Sequence, residues 1–125
     1  GARISVSVQE GLLSRIQGAL VIAIPATISC DDLLELSSTV LNRLESEETE
    51  AVVINLQQLS IAETSLLQAL HKMLNMIRMM GVPAALSGMQ AGLVTAMVHL
   101  DMHTDGFCFA KDVQRAIRQL KRSGQ

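Results

Sequence analysis

Tryptophan and tyrosine are absent from this chain, and phenylalanine occurs only as Phe107 and Phe109. Single-strand nucleic-acid binders stack bases on aromatic side chains, and sugar sites also present aromatic faces, so both classes are disfavoured. Positive charge is not in excess. Ten Lys and Arg against twelve Asp and Glu leave a net charge of −2, and no strong pull on nucleic acid or anionic lipid is expected. Two cysteines, Cys30 and Cys108, are too few and too far apart for a disulfide framework. They read as buried free thiols of a cytoplasmic protein. No apolar run approaches the roughly 18–20 residues of a membrane span. The longest, Ala19–Ala26, meets Pro25 and is followed by polar Thr27. Neither a membrane span nor a signal peptide is expected. Gly1 and Ala2 carry no pattern, and the chain does not open on Met.

What is present is aliphatic. Apolar residues make up 49% of 125 residues, enough for one domain with a sizeable core built from Leu, Ile, Val, Ala and seven Met. Ile4, Val6 and Val8 alternate with polar residues, the period of a half-buried strand. Residues 1–11 thus read as an N-terminal extension or an extra strand. Glu10-Gly11 marks a turn, Leu12, Leu13 and Ile16 fit a short strand or one helical turn, and Leu20–Ile24 is a strand ended by Pro25. Ser29 suits an N-cap, with Asp31 and Asp32 at the positive end of the helix dipole. Leu33, Leu36, Val40, Leu41 and Leu44 make one apolar helix face. Glu45–Glu50 reads as a solvated acidic turn.

Ala51–Leu56 is apolar on both faces, as a central parallel strand should be. A long helix is expected from Thr64 to Met80, with Met73, Ile77 and Met80 in its inward stripe, stopped by Gly81 and Pro83. A weak strand at Pro83–Ser87, a helix at Leu93–Leu100, a small strand at Gly106–Ala110 and a last helix capped by Asp112 complete the chain. Lys111, Arg115, Arg118, Lys121 and Arg122 make that helix basic on one side, which fits a solvent face or an acidic partner. Strands alternating with about four helices specify an α/β domain with a mixed, mostly parallel sheet and an antiparallel N-terminal edge.

Catalytic patterns are missing. There is no GxGxxG, no GxxxxGK[ST] and no GxSxG. His99 and His103 are four apart, with Asp101 and Cys108 nearby, but they straddle a helix end, so they are not expected to converge on a metal. No catalytic residue, metal or cofactor is assigned. Met76 and Met79 fall off the inward stripe of the long helix, and exposed Met is adaptable contact surface for a partner. Ser60-Ile61-Ala62-Glu63-Thr64-Ser65 joins the central strand to the long helix. Thr64 there suits an N-cap. A hydroxyl at a helix start is also a favourable place for a phosphate, which meets free N–H groups and the positive dipole end. Glu63 beside it would add local negative charge.

Ala51–Ser65 resembles the strand–loop–helix of STAS domains, which are shared by sulfate transporters and anti-sigma-factor antagonists. Gly18–Ile24, Ile77–Gly81, Ala85–Gln90, Val94–Met102 and Lys111–Leu120 resemble other segments of the stressosome scaffold members, so the likeness spans residues 12–122. The resemblance implies a STAS-like α/β fold without catalysis. It implies a cytoplasmic scaffold that assembles as a homo- or hetero-oligomer with paralogous STAS sensor proteins and holds a serine/threonine switch kinase. Phosphorylation of the scaffold would release that kinase to a downstream partner, and a phosphatase would reset it. The acceptor position maps onto Thr64, with Ser65 adjacent and Ser60 and Glu63 in the partner-contacting loop. Asn55, Ser60 and Glu63 depart from the family's usual Asp or acidic residues, and Ala91 replaces a frequent Pro. These departures favour an alternative: a non-phosphorylated STAS adaptor, or a ligand-sensing subunit of a transporter or other signalling complex.

Overall fold

Five strands lie side by side in the order in which the chain makes them. The computed structural model describes residues 10–102 and 107–123. The strand expected at Ile4–Val8, and the positions of His103 and Gly106, lie outside the described residues. Strands are β1 Leu13–Ile16, β2 Ala19–Ala23, β3 Ala51–Asn55, β4 Ala84–Ser87 and β5 Cys108–Ala110; helices are α1 Cys30–Ser46, α2 Thr64–Met79, α3 Ala91–His99 and α4 Val113–Ser123.

β1 and β2 form an antiparallel hairpin, Leu13 opposite Ile22 and Ile16 opposite Ala19. Its two-residue turn, Gln17-Gly18, has positive φ at both positions (54° and 85°), which matches the twist of the strands it joins. Leu13–Ile16 is therefore a strand rather than a helical turn, with Leu12 in the turn before it. Glu10 and Gly11, expected as a turn, have helical backbone.

β2, β3, β4 and β5 are parallel neighbours, so each link must cross over the sheet, and α1, α2 and α3 make those crossings. Crossovers of one hand between sequential strands leave all three helices on one face. The helix after β5 has no such constraint, and α4 covers the opposite face. The period-2 side-chain alternation divides the core accordingly. Leu20, Ile22, Val52, Ile54 and Leu86 pack under α1–α3, while Val21, Val53 and Ala85 pack with Ala116, Ile117 and Leu120 of α4. That is why β3 is apolar at every position from Ala51 to Ile54.

Ser29 caps α1 as expected. Its Oγ accepts from Asp32 N at 3.1 Å, and the Asp32 carboxylate accepts from Ser29 N at 3.4 Å. In α2, Leu66, Leu67, Leu70, Met73, Leu74 and Ile77 are buried. Met80 is not core. It lies past the last turn and is 38% exposed, because Gly81, at φ 81°, turns the chain away there. Gly81 N–H donates to Arg78 O at 2.9 Å. α3 starts two residues earlier than expected, its first turn being exposed and without apolar periodicity. Cys30 and Cys108 are free thiols, half-buried rather than buried.

Candidate functional site

Parallel strands put their carboxyl ends on one edge of the sheet, so the loops leaving β2, β3, β4 and β5 gather there. The loop from β3 to α2 is the longest approach to that edge that sequence reasoning singled out, and its shape follows from two buried leucines. Leu56 N–H donates to Ser87 O at 2.8 Å, and Leu59 N–H donates to Leu56 O at 3.0 Å. Both side chains are buried. Asn55 Oδ1 accepts from Gln57 N at 3.1 Å, which fixes the turn between them. With the leucines inward and Ala62 packed at the edge of the core, most of the loop faces out. Ser60, Glu63, Thr64 and Ser65 are exposed, and Ile61 is 85% exposed.

The neighbouring β4–α3 connection supports this loop. Gly88, at φ 69°, lies so close that a Cβ would stand 3.1 Å from Gln57 Cβ and 3.2 Å from its backbone, so a side chain there would strain the backbone and press on Gln57. Gln90 Nε2 donates to Gln57 O at 2.9 Å. A Cβ on Gly92 would meet Ser60 O at 3.4 Å. From the other side, Cys30 Sγ lies 3.7 Å from Ser65 O. Gln57, Gly88 and Gln90 were not among the residues singled out from sequence. A glycine just after a strand was the only available signal, and their role arises from two loops far apart in the chain.

The start of α2 corrects one expectation. Glu63, with φ −67° and ψ 157°, occupies the N-cap position, and no side chain caps the helix. Thr64 is the first helical residue and Ser65 the second, so Thr64 is not the cap. No side chain accepts from the first amide groups of α2, which stand next to the exposed hydroxyls of Thr64 and Ser65. Ser60, Glu63, Thr64 and Ser65 are therefore brought together on one surface. Met76 and Met79 are not part of it. They lie twelve and fifteen residues beyond Thr64, about 18–22 Å along the helix axis at ~1.5 Å per residue. Met79 is 86% exposed there and Met76 is half-buried.

His71 is half-buried on α2, and His99 is exposed at the end of α3. Among the described residues no three of His, Cys, Asp and Glu converge as metal ligands. No helix among them is long and apolar enough to cross a membrane.

Comparison with known proteins adds to this geometry. The family model of the STAS domain matches residues 12–116. Among solved structures, the chain is similar to a variant of RsbS from Moorella thermoacetica, with TM-score 0.80 and 16% identity over 89% of this chain and 94% of that one. It is similar to a chain of the stressosome, a signal integration and transduction hub, with TM-score 0.79 and 16% identity over 90% and 98%. A sulfate transporter family protein from Wolinella succinogenes gives TM-score 0.66 and 14% identity over 86% and 88%. At these identities the likeness is one of fold. Among curated protein sequences nothing matches.

Proposed function

This chain belongs to the STAS domain family, and from that premise we propose that it is a non-enzymatic regulatory scaffold of a stressosome-like complex. In this reading it sequesters a serine/threonine switch kinase, assembles with paralogous STAS sensor proteins in the cytoplasm, and is controlled by phosphorylation at Thr64 or Ser65. A phosphatase reverses the modification. One observation carries the reading: two exposed hydroxyls stand at an uncapped helix start, on a loop pinned from beneath by Leu56 and Leu59.

A phosphoryl group on Thr64 would add about −1.5 to −2 charges beside Glu63 and the first amides of α2. No buried side chain has to move. The modification therefore acts as a charge switch on a preformed surface, and a partner docked over Ser60–Ser65 is repelled or recruited by charge alone. Ile61 supplies that partner with an apolar contact in the middle of the polar loop.

The test is incubation with ATP and a serine/threonine switch kinase from the same organism, read by intact mass. One added phosphate, lost in the Thr64→Ala/Ser65→Ala double variant, is the expected result. No added phosphate, or unchanged labelling of the double variant, overturns the site. A second reading, a non-phosphorylated adaptor, is favoured by Glu63 occupying the N-cap with a longer side chain than the family's Asp. Particle size separates the two: a megadalton co-assembly with paralogues supports the scaffold, and a small one-to-one complex supports the adaptor.

A further inference from the structure

A second feature opens on the same edge of the sheet. Between α3 and β5 lies a cavity of about 780 Å³, within the roughly 300–1,000 Å³ typical of small-ligand sites. Its wall is apolar: Met89, Val94, Met97, Val98 and Phe109 line it, with Leu86 of β4 at its base. Leu86 and Met97 are buried, whereas Val98 is 73% exposed and Val94 and Phe109 are close to half exposed, so the apolar lining continues to the mouth. Few charged or amide side chains line it: Gln57 after β3, and Lys111 and Asp112 after β5. We propose that this cavity binds a single-chain aliphatic monocarboxylate, such as a medium-chain fatty acid, with its carboxylate at Lys111.

Three observations select that chemistry. The first is the lining, which mixes unbranched, flexible methionines with valines and only one aromatic ring. Such a wall adapts to an aliphatic chain rather than stacking a planar ring. The second is the charge at the mouth. Asp112 is committed to α4: Oδ1 accepts from Arg115 N at 2.8 Å and Oδ2 lies 3.2 Å from Arg115 Nη1. Lys111 has no ion pair among the described residues. One uncommitted cation beside a carboxylate suits a monoanion and disfavours a phosphate with two charges. The third is position. The cavity opens where parallel α/β sheets leave a crevice beyond the strand ends.

The cavity also touches the switch surface. Gln57 forms part of its wall, and the Gln57 carbonyl is held by Gln90 at 2.9 Å. A bound chain therefore lies against the loop that leads to Thr64. The ligand proposal itself does not require phosphorylation there, and its test is independent of any kinase.

The experiment is calorimetric titration of the whole chain with dodecanoate below its micelle concentration, with dodecanol as the uncharged counterpart. One site per chain with roughly micromolar affinity is expected. Lys111→Glu and the replacement of dodecanoate by dodecanol should each weaken binding about tenfold, the value of a charge-assisted hydrogen bond. Val94→Glu, on a partly exposed position, should abolish binding while thermal melting confirms that the variant is folded. Absence of saturable binding by the folded wild type overturns the proposal, as does equal affinity in wild type, Lys111→Glu and Val94→Glu. Concentration-dependent dimerisation that Val94→Glu removes, without dodecanoate binding, also overturns it and makes this face an interface between copies.

Discussion

Ser29 and Thr64 stand at the starts of the two longest helices, yet only one of them holds its helix. Ser29 completes a reciprocal cap with Asp32, whereas Thr64 is already inside α2 and its hydroxyl faces out. Ser29→Ala should cost about 1 kcal/mol of stability. Thr64→Ala should stay within about 0.5 kcal/mol, as surface changes usually do. Urea denaturation of the two variants checks this, and equal losses would contradict the assignment of the caps. In the sequence the two sites look alike, a small hydroxyl residue ahead of an apolar run. The difference is the backbone of the preceding residue. Glu63 leaves the loop in an extended conformation, which puts the cap position one residue upstream of Thr64. Periodicity carries no information about that path.

At the scale of elements, the acidic run expected as a solvated turn ties the hairpin to the end of α1. Arg15 of β1 pairs with Glu47 and also donates to Glu48 O at 3.2 Å and Thr49 Oγ1 at 2.9 Å. Arg43 of α1 makes a charge contact with Glu47 at 2.9 Å and pairs with Glu10 at 2.9 Å. The hydrogen bond from Arg15 is the main cause that holds the Glu47 carboxyl below its ordinary value of 4.5, with Arg43 adding to it and partial desolvation opposing it. A lowered carboxylate pKa stabilises the fold above the unfolded value and is lost as pH falls through the folded one. Melting temperature should therefore fall as pH drops below the ordinary carboxylate value of 4.5, and fall less in Glu47→Gln. Parallel curves for the two proteins would show that Glu47 contributes nothing. The residues of this tie were visible in the sequence, but their pairing was not. Arg15 and Glu47 are 32 positions apart and meet only because β2 returns beside β1 and β3 begins next to it.

For the whole molecule, one sheet divides two cores of unequal size. The larger lies under α1–α3 and the smaller under α4 alone. Both share the backbone of β2, β3 and β4, so they should unfold together. Ile117→Ala, at a fully buried position of α4, should lower stability by about 2–4 kcal/mol with the denaturant slope unchanged. A reduced slope or a second transition would show that α4 leaves the sheet on its own. This arrangement also bears on function. α4 packs on the face of the sheet opposite α2, so exposed Arg115, Arg118, Lys121 and Arg122 lie on a different element and face from the Ser60–Ser65 loop, whereas Lys111 stands at the cavity beside Gln57.

The sequence by itself determined most of the elements and their limits and the mixed sheet, while Leu12–Ile16 stayed open between strand and helical turn until the Gln17-Gly18 hairpin settled it. Those follow from local periodicity, caps and glycine stops, which act within a few residues. The doubly apolar β3 even declared that both faces of the sheet would be covered. Tertiary structure decided which residues share a surface. It grouped Ser60, Glu63, Thr64 and Ser65, and left Met76 and Met79 at the far end of α2. It set Gly88 against Gln57. It also formed the cavity from β4, α3, β5 and the residues before α4, segments whose side chains meet only after the parallel crossovers bring their strand ends to one edge. Contacts of that kind depend on distances between chain segments, and a linear pattern holds no record of them.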